Sequence, residues 1–582
     1  MAPTTRPVIM GTHGAVAAGH YLAARAGLHI LEAGGNAVDA GIAMGFCLAL
    51  LKPQENGLGG ESPILVYSAE HGKAFAINGQ GIAPRSATIE RFRQMNLDLI
   101  PGDGFLSAMV PSMVDNYITA LAAFGTMPLS EVVAPAIEMA NRGFPIYEAL
   151  RDAIADNLDR WKNLYPTTAK TFAPGGRAPH IGDLLVQPQW AAAVALLVEA
   201  ERTAAGRGRT AALRAARDAF YRGEIAHHIC AYIQEHEVID ASGESHHGLL
   251  TEDDFAAFSA RVESPISVDY HTLTVHKCNT WCQGAVFLQQ LRLLEGYELA
   301  SMGHNTPDSI HTIIECAKLA FADRNAHYGD PDFVEVPLAR LLSKEYAEER
   351  RNLLDPKSAS LDDRPGILPP GAKSEPIAPS DSEWPTTHTG DTTRCCALDR
   401  NGNMISITPS GGWFMTSPVI PGVGFPLGTR GQMFELDPKH PNCLAPGKRP
   451  RTTLTPSLVT KEGLPWMVFG TPGGDCQDQW TLQFFLNYVD HGMNLQEAID
   501  APTFHSEHFR NSFYPREAKP GHMSVEGRIP EDVRRELEGR GHVVNVLGDW
   551  ENGQVEAIQY DAKTGLISAA SSSRGVSYAM GW

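Results

Sequence analysis

The pattern of apolar and polar positions divides the chain into a helix-rich part and, after about residue 392, a strand-rich part. Near the start it predicts a short strand, a helix over His20–Ala33 and a second, almost uniformly apolar helix over Ala37–Leu51. Gly34-Gly35 between them suits a helix C-cap, and Asn36 suits the next N-cap. A glycine-dense loop, Asn56-Gly57-Leu58-Gly59-Gly60-Glu61-Ser62, leads into an apolar strand, Pro63–Tyr67. The loop has the spacing of neither phosphate-binding glycine motif. Residues 110–160 and 190–237 read mostly as helix, with Gly206-Arg207-Gly208-Arg209 as a surface turn. Thr251–Phe258 opens a helix with a Thr-x-x-Asp capping signal. Val268–His276 reads as a strand and His311–Tyr328 as a helix. Residues 355–391 are rich in Pro, Ser, Asp and Gly with no apolar period, which predicts an exposed connector. Beyond it, Thr393–Leu398 and Met404–Thr408 flank Asp399-Arg400-Asn401-Gly402, a hairpin signal. Thr455–Thr460 and Trp466–Phe469 form a second hairpin around Lys461-Glu462-Gly463, and Asp475 is placed to N-cap a helix from Gln477 to about Tyr488.

Composition narrows the class of protein. The hydrophobic share of 43% and charged share of 20% over 582 residues are those of a soluble globular chain. A formal net charge of −19 argues against nucleic acid or an anionic membrane as a bulk partner, because both call for a basic face. Nine cysteines form no CxxC pair, and Cys395-Cys396 in a strand must point to opposite faces, so buried free thiols in a reducing compartment are expected. The first twenty residues show no continuous apolar segment, and the run Gly41–Leu51 is too short to span a bilayer. The expectation is a cytoplasmic protein.

The richest chemistry lies at Asp391-Thr392-Thr393, where the connector meets the first hairpin. Acyl transfer needs a nucleophile, a base and donors aimed at the developing oxyanion. The Thr392 hydroxyl can be the nucleophile. A chain cut just before Thr392 would expose an α-amine able to act as its base. The backbone N–H groups of Gly473 and Gly474, predicted between a strand and a helix N-terminus, can be the donors.

Taken together, the motifs resemble the γ-glutamyltranspeptidase family of N-terminal-nucleophile hydrolases. The resemblance rests on Gly34-Gly35-Asn36-Ala37-Val38-Asp39-Ala40, Leu58-Gly59-Gly60, Ala322-Asp323-Arg324, Gly329-Asp330-Pro331-Asp332-Phe333, Asp391-Thr392-Thr393, Asp399-Arg400-Asn401-Gly402-Asn403, Lys448-Arg449-Pro450 and Thr471-Pro472-Gly473-Gly474. It implies an α/β fold, a four-layer αββα sandwich. It also implies autocatalytic cleavage between Asp391 and Thr392 into a large fragment, 1–391, and a small fragment, 392–582. Thr392 would serve as nucleophile in cleavage and turnover, with Ser410 as a second hydroxyl beside it. No cofactor or metal is implied, and whether processed heterodimers pair further is left open.

The family's glutamyl-binding residues carry over incompletely. The Arg that holds the glutamyl carboxylate falls at Gln80, a pocket Asn at Gly412, and the Asp that holds the ammonium at Met433; the serine pair becomes Thr452-Thr453. A buried ammonium without a partner would be costly. The substrate expected is therefore a small-molecule amide whose acyl group is not γ-glutamyl. These changes resemble the branch that includes an oxamate amidohydrolase and, more distantly, the cephalosporin acylases. Arg430 is a new cation that can hold a substrate carboxylate or serve structure, and Trp413 and Phe414 can line an acyl pocket or belong to the core. The alternatives are a γ-glutamyltransferase or glutathione hydrolase with a rebuilt pocket, and a non-catalytic scaffold. His227-His228 and His246-His247 lack companion ligands for a metal, and Cys282 is read as structural rather than reactive.

Overall fold

The computed structural model describes residues 4–367 and 391–582. Two seven-stranded antiparallel sheets lie between two groups of helices. In the first sheet the order is Ile9–Gly11, Leu566–Ser571, Glu556–Asp561, Leu464–Gly470, Ser457–Lys461, Leu273–Lys277 and Ile266–Tyr270. In the second it is Tyr578–Gly581, Gly14–Ala18, Cys395–Asp399, Met404–Ile407, Ile64–Ser68, Lys73–Ile77 and Val262–Glu263. Strand alternation divides their side chains between two cores. Cys396, Leu398, Met404, Leu458, Val468 and Ile558 meet between the sheets. Cys395, Ala397 and Ile405 face a helical layer, and Val275, Val459 and Phe469 face the other. The result is the expected αββα sandwich.

The helix Ala37–Leu51 is buried along its whole length, which explains its lack of a polar face. Asn36 caps it in a capping box with Asp39. Its glycines allow close packing: a Cβ on Gly41 would lie 2.6 Å from Ile405, and one on Gly45 2.6 Å from Tyr117. Several boundaries differ from the sequence reading. The segment read as one strand over Val268–His276 is a hairpin, Ile266–Tyr270 with Leu273–Lys277, reversing at His271 with φ +53. The helix expected from His311 begins at Pro307 behind a Thr306 cap and runs to His327. Asp475 does not cap the helix Gln477–Val489, because its carboxylate is committed to Ser512 and Arg324. The connector prediction lies outside the described residues from 368 to 390. Its first part is tied down: Ala359 N donates to Arg540 O at 2.7 Å and Gly366 N to Asp323 Oδ1 at 2.6 Å.

Candidate active site

The site is built by continuing the register of the second sheet past its strand ends. Cys395 pairs with Ile407, and Ile407 with Ile64. Three residues further, the same register places Thr392 opposite Ser410 and Ser410 opposite Glu61. Ser410 and Glu61 exchange both backbone hydrogen bonds at 2.9 Å, and Thr393 N donates to Pro409 O at 3.0 Å. Three side chains, from segments far apart in sequence, therefore stand in one row. By alternation they share the face of Cys396, Ser406 and Leu65, the space between the sheets. Thr392 and Ser410 are fully buried, with their hydroxyl oxygens 3.1 Å apart.

The glycine loop brings the row together. A Cβ on Gly59 would lie 2.0 Å from Pro426 O, and one on Gly60 2.2 Å from Ser410 O. Opposite it, Gly411 and Gly412 have φ +71 and +65. The loop thus serves backbone approach, and its one acid reaches Arg430. The Arg430 guanidinium donates to Glu61 through Nε and to Ser410 Oγ through Nη2, while Nη1 faces Met433 Sδ at 3.8 Å. Burial pushes the Glu61 carboxyl up, against the pull of Arg430. Arg430 stacks over the Trp413 ring at 4.7 Å and the Phe513 ring at 5.5 Å. It is fully buried, so it is not a surface residue, and its charge is already paired. Of the two roles the sequence left open, this pairing fits the structural one and not a free cation for a substrate carboxylate. Sequence reasoning missed Glu61, although a lone carboxylate in a glycine loop was a visible signal.

The peptide carbonyl of Asp391 lies against the same groups. Its oxygen accepts from Ser410 Oγ at 2.9 Å and from Trp413 Nε1 at 2.7 Å; the same indole N–H also reaches Glu55 O at 2.9 Å. The Asp391 carboxylate accepts from the Thr392 amide at 2.8 Å. Burial and then Glu55 raise that carboxyl to about 7, against Thr392 N–H, Lys52 and Arg394. Arg394 pairs across the sandwich with Glu556 at 2.9 Å.

Gly473 and Gly474 follow the strand Leu464–Gly470, whose end lies beside Arg394. Both are left-handed, with φ +117 and +55. Neither amide N–H finds an acceptor among the described residues, as an oxyanion turn requires. Phe513 links this turn to the row: a Gly474 Cβ would lie 3.0 Å from it, and its ring is 6.2 Å from Trp413. Gln80, Thr452 and Thr453 are buried, and their side-chain polar atoms have no protein partner among the described residues. Gly412 packs on the glycine loop, where a Cβ would lie 3.0 Å from Gly60 N.

Other candidates take structural places. Phe414 packs between Trp161 and Phe172 in the helical core, so it lines no acyl pocket. Cys282 Sγ accepts from Gly284 N at 3.4 Å. His227, His246 and His247 pair with Glu252, Asp240 and Glu237. Among the described residues one cluster has metal-like spacing, His311, Glu315 and His542. Its carboxylate is already bound by Lys318 and Arg364, and His311 Nε2 bonds to Asp355 O.

Two antiparallel sheets between helical layers, with buried hydroxyls at one end of the inter-sheet space, are the fold of the N-terminal-nucleophile hydrolases. Comparison with known proteins then places the chain more closely. Residues 23–582 match the family described as Gamma-glutamyltranspeptidase. The chain is 32% identical over 577 residues to the "Glutathione hydrolase-like YwrD proenzyme" of Bacillus subtilis (strain 168), covering 98% of this chain and 99% of that one. It matches the solved structure described as LmbA2991HD with a TM-score of 0.94 and 41% identity, covering 100% of both chains. It matches a cephalosporin acylase from Bacillus halodurans with a TM-score of 0.84 and 31% identity, covering 100% of this chain and 98% of that one. The protein belongs to the γ-glutamyltranspeptidase family. It is an amide hydrolase or acyltransferase of the acylase-like branch, made as a precursor.

Proposed function

We propose that the precursor is cut between Asp391 and Thr392 and that Thr392 then attacks the carbonyl of a small-molecule amide whose acyl group is not γ-glutamyl. The freed α-amine is the base, Gly473 and Gly474 supply the oxyanion donors, and water releases the acid from the acyl-enzyme. One observation carries this reading: the Ser410 hydroxyl, 3.1 Å from that of Thr392, donates to the intact Asp391 carbonyl oxygen at 2.9 Å. Specificity is supported by the positions where a glutamyl head group would be clamped. Met433 offers sulfur instead of carboxylate, Gln80 is neutral, and Glu61 is already engaged by Arg430. The cleavage would leave fragments 1–391 and 392–582 interleaved in both sheets. Nine unpaired cysteines suit a reducing, cytoplasmic setting.

N-terminal sequencing of the small fragment tests the cut; it should begin at Thr392, and Thr392→Ala should stay whole. Three p-nitroanilides test the acyl group: γ-glutamyl, glutaryl (the same chain without the amino group) and butyryl (without amino or carboxylate). The γ-glutamyl compound should be the slowest. If it is the fastest, the protein is a glutathione-hydrolase-like enzyme with a rebuilt pocket.

A further inference from the structure

The groups around the scissile carbonyl form a donor pair separate from the glycine turn. We propose that Trp413 is a catalytic residue of self-cleavage, donating its indole N–H to the Asp391 carbonyl oxygen, and that Arg430 is the positioning residue that holds Ser410 as proton carrier. The inference rests on cleavage before Thr392 and goes beyond it, because it gives Trp413, Ser410 and Arg430 parts in the cutting step that the turnover proposed above does not assign to them.

The hydrogen-bond inventory fixes the proton path. Ser410 Oγ has one proton and two lone pairs. It accepts from Arg430 Nη2, which can only donate, so one lone pair is taken. Its remaining partners are the Asp391 carbonyl oxygen at 2.9 Å and Thr392 Oγ1 at 3.1 Å. A carbonyl cannot donate. Ser410 therefore gives its proton to Asp391 O, and Thr392 gives its own to Ser410. The chain of donors runs from nucleophile to scissile carbonyl before any bond has changed.

The step then balances. Thr392 Oγ1 forms a bond to the Asp391 carbonyl carbon. Its proton passes to Ser410 Oγ as the Ser410 proton passes to the carbonyl oxygen, which Trp413 Nε1 holds at 2.7 Å. The adduct is a neutral five-membered ring. The C–N bond then breaks with the electron pair leaving on nitrogen, and the adduct's hydroxyl proton is transferred to that nitrogen. The Asp391 carboxyl, 2.8 Å from the Thr392 nitrogen, is placed to relay it. The product is an ester between Asp391 and Thr392 Oγ1, with a free amine on Thr392. Water hydrolyses the ester to the Asp391 carboxylic acid and regenerates the hydroxyl.

Arg430 also sits over the Trp413 ring at 4.7 Å, so one guanidinium fixes both donors. The indole has a second acceptor, Glu55 O at 2.9 Å, which keeps its N–H satisfied once Asp391 has left.

The test is a time course of cleavage of the full-length chain, followed on denaturing gels and by N-terminal sequencing. Trp413→Phe keeps an aromatic ring but removes the N–H. Loss of the neutral N–H···O bond that holds the reacting oxygen predicts cleavage slowed by about tenfold or more. Ser410→Ala, Arg430→Met and the double variant test the relay. If Arg430 acts through Ser410, adding Arg430→Met to Ser410→Ala slows cleavage by less than about threefold, whereas a purely structural role slows it as much as in the parent. Circular dichroism identifies variants that fold. Cleavage of folded Trp413→Phe within about threefold of the parent overturns the indole assignment; should that variant not fold, the Ser410/Arg430 pair decides, and full additivity overturns the proposal. A parent chain that is not cut before Thr392 refutes the proposed function instead.

Discussion

The buried pair Arg430–Glu61 should reveal how far the site depends on one interaction between distant segments. Its side chains are 0% and 4% exposed. Removing one member of such a pair leaves an uncompensated charge and costs about 3–5 kcal/mol. In Glu61→Gln the side chain keeps an acceptor for Arg430 Nε, so the lower end, ~3 kcal/mol, is expected. The thermal signal should be small. At about 2.1 cal/mol/K per residue, the unfolding entropy of a chain this long is about 1.2 kcal/mol/K, so ~3 kcal/mol lowers Tm by only about 2–3 °C. Cleavage should respond more, because Arg430 also holds Ser410. Glu61→Leu combined with Arg430→Met removes both charges and should recover most of the lost Tm. It should not recover the cleavage rate. Differential scanning calorimetry and the gel time course measure the two effects separately. If Glu61→Gln has an unchanged Tm and cuts at the parent rate, the pair does not organise the site.

Gly474→Ala places a Cβ 3.0 Å from Phe513 at a residue with φ +55, so turnover of the cleaved enzyme should fall by about 10²-fold while the cutting step is spared. Met433→Asp puts a carboxylate beside Arg430 Nη1, which will capture it; Gln80→Arg plus Met433→Asp should therefore fail to create a γ-glutamyl site unless Arg430 is also replaced by a neutral residue, as the three p-nitroanilides would show. The Asp391 carboxyl, raised to about 7, binds its proton more tightly in the folded precursor than in the unfolded chain. Its contribution should thus be greatest at low pH and decline as pH rises from about 4 to about 7. In the uncut Thr392→Ala background, adding Asp391→Asn should remove that part of the slope in urea titrations. Glu556, also raised to about 7, has the same sign and remains in both proteins.

Local signals in the sequence foretold local structure. The Asn36 N-cap and the Asn401-Gly402 hairpin turn were legible because each is completed within a few residues. The reversal at His271 was not, since a non-glycine residue adopts φ +53 there without a usual turn signal. Asp475 looked like a cap because its sequence position suited one, yet distant Arg324 and Ser512 claim it. The same limit applied at the site. Thr392 and Ser410 stood out by residue type and motif, while the pairing of Arg430 with Glu61, 369 residues away, depends on sheet register. Trp413 was recognised as a large apolar side chain, and its role as a donor emerged only when the Asp391 carbonyl was located.

The interleaved strands give the cut a thermodynamic direction. Cys395–Asp399 and Met404–Ile407 lie between Gly14–Ala18 and Ile64–Ser68, so the second fragment supplies the middle of a sheet whose neighbours belong to the first. While the chain is whole, these partners find one another at the high effective concentration of a single molecule. After the proposed cut the native assembly should persist, but complete denaturation would release two chains whose reunion is second order. The uncut Thr392→Ala protein should regain its structure at a rate independent of dilution. The mature enzyme should lose its recovery as it is diluted, so that its durability is set by how slowly it comes apart rather than by how well it can reassemble.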